Sequence, residues 1–185
     1  MQDSAESLGA RPAAACDRGF TIVEILVVMA IILVLAGLVL ATSSYVRNQG
    51  ARSRAEAEIA AMSAALENYK TDNGVYPVTI ATTTLNARTS TDSSNYKSAS
   101  TAMYQTLAGD SDADGQSGPA TSYMVFKPNQ IGDSGATTFV KDPFGNSYGY
   151  STAGQSGGTS GYNPTFDLWS TAGSTTFSAG WVKNW

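Results

Sequence analysis

RGFTIVEILVV, residues 18–28, places one carboxylate, Glu24, at the head of a run with no other charge until Arg47. Every residue from Ile25 to Ala41 is apolar or glycine. With Phe20 to Val23 in front, the run reaches the roughly 20 residues that a helix needs to cross a bilayer. A carboxylate in hydrocarbon costs about 2.5–3.5 kcal/mol on insertion scales, so Glu24 needs either a partner or a place near the headgroups. The stretch therefore predicts a transmembrane helix carrying a functional acid near its start.

The rest of the composition narrows the function. The 185 residues suffice for one domain and an appendage, not for two full cores. A formal net charge of -4 excludes a nucleic-acid binder, which needs clustered Lys and Arg. The nearest basic group, Arg47, Arg52 and Arg54, follows the apolar run directly and fits a membrane flank better than a phosphate site. A single cysteine, Cys16, and no histidine remove intrachain disulfides, thiol-histidine catalysis and histidine metal ligation together. Residues 1–19 are small and polar and read as a leader or tail. Ala13-Ala14-Ala15-Cys16 has the form of a lipoprotein box, but no apolar stretch precedes it, which argues against lipidation.

Beyond the membrane run, residues 43–73 contain no proline and many good helix formers. Ala55, Ile59, Met62, Leu66 and Tyr69 recur at spacings of three and four, the mark of one buried helix face. Asn73-Gly74 and then Pro77 supply a left-handed cap and a stop. The spacing predicts a long helix, transmembrane over 20–42 and amphipathic over 43–74. Residues 75–122 read as a variable polar loop with a short helix near Ala102–Leu107. Strand-like runs at 123–127, 137–140, 146–150 and 165–169, with the closing AGWVKNW, make 123–185 a β-sheet region. The expected fold class is α+β: the long helix packed through its second half against a small antiparallel sheet.

At this point the residues resemble a known family. Gly19-Phe20-Thr21-Ile22-Val23-Glu24 before an unbroken apolar helix is similar to the class III signal of type IV pilins and type II secretion pseudopilins. ALENYKTDNGVYP (65–77), KDPFGNSYGY (141–150), FDLWSTAG (166–173) and WVKNW look like landmarks of the major, G-type pseudopilin. The resemblance implies a type IV pilin-like fold and no enzymatic activity. It implies cleavage by a prepilin peptidase between Gly19 and Phe20, and methylation of the new terminus. It also implies assembly of copies into a helical periplasmic filament, in which Glu24 meets the freed α-amine of a neighbouring Phe20. Expected partners are minor pseudopilins, an inner-membrane platform and a cytoplasmic ATPase; the expected location is the inner membrane, single-pass, with the C-terminal region in the periplasm. The family's frequent proline in the apolar helix is missing, and its acidic C-terminal calcium loop has no counterpart in STAGSTTFSA, 170–179. A surface type IV pilin for adhesion, motility or DNA uptake is the near alternative; such pilins usually carry a C-terminal disulfide, which this chain lacks. A membrane-anchored binding or enzymatic domain is the distant one.

GDSDADGQ (109–116) is a separate candidate. Asp110, Asp112, Asp114 and Gly115 match D-x-D-x-D-G, the first half of a calcium loop, with Thr121 where a closing glutamate would stand. Asp133 or Asp142 could complete such a shell. A solvated acidic turn is the plainer reading of the same residues. The aromatics from Tyr123 to Trp181 are expected to pack in the core.

Overall fold

A computed structural model of the chain describes residues 19–116, 118–135, 137–174 and 180–185, with the backbone alone at 41 and 42. Residues 1–18 of the expected leader, with Cys16, and positions 175–179 of the C-terminal loop lie outside the described residues. The chain divides into two compact units, Met1–Ser44 and Tyr45–Trp185.

Helix α1 runs from Ile22 to Asn73. In the first unit, every side chain from Phe20 to Leu40 is exposed. It is the one helix among the described residues that is long and apolar enough to cross a membrane. In the second unit the same helix buries Ala55, Ile59, Met62, Ala65 and Leu66. That is the face the spacing predicts, except that Tyr69 sits half-buried at its edge, packed edge-on against Tyr123 at 5.3 Å. The helix stops where expected: Gly74 adopts φ +79° and its N–H donates to Lys70 O at 2.7 Å.

The polar segment after α1 is more structured than its composition suggests. It contains α2 (Ile80–Thr84), a 3₁₀ turn (Ser93–Tyr96) and α3 (Lys97–Ala108). α3 buries Ala99, Ser100, Ala102, Met103, Tyr104 and Leu107. Ser100 stays satisfied inside: its hydroxyl donates to Val140 O at 2.9 Å and accepts from Val140 N at 3.1 Å. The short helix expected near Ala102–Leu107 is the second half of α3; the loop expected around it is corrected, because small Ala, Ser and Thr residues hid α2, the 3₁₀ turn and the first turns of α3.

The strands are β1 (Ile131–Asp133), β2 (Thr138–Val140), β3 (Gly149–Ser151), β4 (Asp167–Ser170) and β5 (Val182–Lys183). They form two antiparallel sheets, β1-β2 and β3-β4-β5, where one was expected. The KDPFGN turn separates them, leaving only an isolated bridge between Lys141 and Ser147. The YMVFK run at 123–127 forms no strand; the N–H groups of Tyr123 and Met124 both donate to Leu107 O and so close the end of α3.

One core joins the α1 face to Met103, Leu107, Val140, Tyr148, Tyr150, Phe166 and Leu168. A second gathers Leu85, Tyr96, Trp169 and Trp181, with Trp169 and Trp181 stacked at 6.3 Å. Most of the candidate aromatics are thus packing residues, as expected. The architecture is α+β: a long helix packed against small antiparallel sheets.

Candidate functional site

The N-terminal segment is built around the first turn of α1. Thr21 precedes it and acts as its N-cap. The Thr21 hydroxyl accepts from Glu24 N–H at 3.2 Å, while Glu24 Oε2 accepts from Thr21 N–H at 2.8 Å and from the Thr21 hydroxyl at 2.9 Å. This reciprocal capping box satisfies donors that a helix start otherwise leaves open. Sequence reading missed Thr21, although T-x-x-E before an apolar run is the signature that finds it. Glu24 is therefore partnered within its own chain. Gly19 and Phe20 lie outside the helix and are exposed, and a Cβ at Gly19 would meet nothing within 4 Å. Packing among the described residues gives no reason for a glycine there.

Of the basic group, Arg47 and Arg54 are exposed, whereas Arg52 donates to Gly180 O and ties α1 to the C-terminal segment.

The acidic loop follows α3. Gly109 caps the helix in the left-handed conformation, and a Cβ there would collide with Ala120 O at 2.6 Å, so the loop folds back tightly on its base. Asp110, Asp112 and Asp114 each bring one carboxylate oxygen within 4.8 Å of the others, an arrangement that could hold an ion. Asp110 is fully buried and the other two are exposed. Burial works upward on the Asp110 carboxyl, but hydrogen bonding from Asp112 and the Gly115 N–H outweighs it, and the net direction is down. Asp112 moves up, because Asp110 and then Asp114 press on it. Burial and the nearby Asp110 push Tyr104 up to about 12. The loop concentrates negative charge on one point.

The two acids suggested as completing a shell differ. Asp142 is buried beneath the KDPFGN turn, where Oδ1 accepts from Phe144 N at 3.0 Å and Asn146 N at 2.8 Å. Its Oδ2 accepts from the Ser170 hydroxyl at 2.5 Å. Both oxygens are committed. Asp133 is exposed on β1 and lines an open cleft together with Asp114.

Comparison with known proteins places these features in a class first. Residues 15–40 match the family described as "Prokaryotic N-terminal methylation motif". The chain thus carries the N-methylation motif of type IV pilin-like proteins on a pilin-like α+β architecture. Over its N-terminal third it is homologous to type II secretion core protein G. It is 44 % identical over 63 residues to that protein of Escherichia coli (strain K12), covering 34 % of this chain and 43 % of the relative. It is 42 % identical over 63 residues to that of Pectobacterium carotovorum subsp. carotovorum, covering 34 % of this chain and 40 % of the relative. It is 40 % identical over 63 residues to that of Klebsiella michiganensis, covering 34 % of this chain and 44 % of the relative. The chain thus matches less than half the length of these curated relatives. No solved structure matches it.

Proposed function

We propose that the chain is a structural, non-enzymatic subunit of a type II secretion pseudopilus. In this reading it is stored in the inner membrane as a single-pass precursor, with its C-terminal unit in the periplasm. A prepilin peptidase cuts it between Gly19 and Phe20, and the new terminus is methylated. Subunits then assemble through their apolar helices into a helical filament that helps to push proteins across the outer membrane. A repeated heterologous contact that never closes into a ring gives such a polymer. Minor pseudopilins, an inner-membrane platform and a cytoplasmic ATPase are the partners this role requires.

The observation that carries the reading is the combination at the N-terminus: a glycine with no conformational need of its own, Phe20 beside it, and Glu24 heading a helix whose side chains are all exposed from Phe20 to Leu40. A residue without a side chain suits a narrow cleavage site in another protein. Glu24 gains a cation once cleavage frees the Phe20 amine, and pairing across subunits fixes one stagger between helices. The acidic loop takes one calcium ion, a hard cation that suits clustered carboxylates.

Mass spectrometry of the N-terminus of the protein from its native membrane tests the processing step. A methylated Phe20 is expected, and an intact leader refutes it. Glu24→Ala is expected to be cleaved normally and to yield no filaments; normal filaments from that variant would sink the pairing.

A further inference from the structure

Resting on the reading that the 109–116 loop takes calcium, we propose that Asp133 of the β1-β2 hairpin supplies the carboxylate that the loop lacks, so that one ion clamps loop and hairpin together. The starting point is an unsatisfied atom. Asp110 is buried; its Oδ2 accepts from Gly115 N–H at 2.9 Å, but its buried Oδ1 has no hydrogen-bond partner among the described residues. Native proteins leave few buried polar atoms unpaired, because each such atom forfeits its hydration without compensation. Asp112 and Asp114 gather their own oxygens around Asp110 within 4.8 Å, and Asp112 can donate to Asp110 only by keeping a proton, since ionised carboxylates cannot serve one another as donors. A hard divalent cation serves all three.

Three carboxylates from one short loop still leave a six- to eight-coordinate ion short of ligands. The backbone shows where the next one comes from. Thr138 N–H on β2 donates to Ala113 O at 2.8 Å, which stitches the apex of the loop to the hairpin. Thr138 is in turn the register partner of Asp133 on β1. Adjacent strands lie about 4.8 Å apart, so two such steps put Asp133 about 10 Å from the loop backbone. An aspartate side chain from each side, each with a coordination bond of about 2.3–2.6 Å, is long enough to span that gap; Asp133 Oδ1 accepts from Gly135 N–H at 2.7 Å, which leaves Oδ2 for an ion. Asp114 and Asp133 also line the same cleft, of about 220 Å³, with Gly135 and Thr137. Asp142, the other acid considered, has both oxygens committed to Phe144, Asn146 and Ser170.

The test is calorimetric titration of calcium chloride into the full chain in detergent micelles, after stripping with a chelator, for the wild type, Asp112→Asn and Asp133→Asn. Asp133 is exposed, so its variant should fold. Expected are one site in the wild type, loss of binding in Asp112→Asn, and at least a tenfold weaker affinity in Asp133→Asn. Wild-type affinity in Asp133→Asn alongside loss in Asp112→Asn overturns the clamp and leaves the calcium loop standing. No heat from the wild type overturns both.

Discussion

At the scale of single residues, the second unit turns two acids inward, Glu58 and Asp142. Glu58 of α1 is buried, and the Tyr148 hydroxyl donates to its Oε2 at 2.7 Å. Burial, with Glu58 behind it, raises the Tyr148 hydroxyl well above its ordinary range, so it remains a donor at any working pH. Tyr148→Phe keeps the ring and strands the carboxylate. It should lower stability by about 1–3 kcal/mol, read as a shift in the urea midpoint, whereas an unchanged midpoint would mean that solvent reaches Glu58. Asp142 gives a pH signature. Burial raises its pKa despite three hydrogen bonds, so the folded chain holds that proton more tightly than the unfolded chain does, whose value is about 4. Its contribution to stability is therefore full below about pH 4 and is lost as pH rises through the elevated folded value. Urea midpoints measured across that window should lose this component in Asp142→Asn; an identical pH profile would refute the assignment.

At the scale of elements, close approach decides where substitution is tolerated. A Cβ on Gly149 of β3 would stand 2.1 Å from the Trp169 ring on β4, its register partner. Gly149→Ala should cost roughly 1–3 kcal/mol or more, as overpacking does, and reduce near-ultraviolet dichroism from the tryptophans. Met103→Ala, in the buried face of α3, should cost about 2–5 kcal/mol by opening a cavity beside α1. The two elements differ in how far sequence revealed them. α1, its buried face and its Gly74 stop were legible because large apolar side chains recur at helical spacing and a glycine follows. α3 was legible only in its second half, near Ala102–Leu107; its first turns were not, since Ala99 and Ser100 look like loop residues until Val140 is seen to satisfy Ser100. β1 was hidden because Ile131-Gly132-Asp133 has no alternation, its place being set by pairing with β2. The N-terminal motif and the acidic triad were legible as local patterns, while the sequence named both Asp133 and Asp142 as further acids and only strand register and hydrogen bonding separate them.

At the scale of the whole molecule, the two units face different solvents by composition. Exposed Ile22, Leu26, Leu33 and Leu40 need lipid or detergent, whereas Tyr45–Trp185 holds both cores. A fragment beginning at Tyr45 should be soluble and unfold in one cooperative step by calorimetry; aggregation without detergent would show that the first unit shields part of the second. The capping box bears on the proposed filament. Glu24 Oε2 accepts from Thr21 N–H and the Thr21 hydroxyl, neutral donors that orient the carboxylate and leave its charge for a neighbour's amine to neutralise. In that reading the cap fixes the carboxylate's position before a neighbour arrives, so each joint would have little side-chain entropy left to lose.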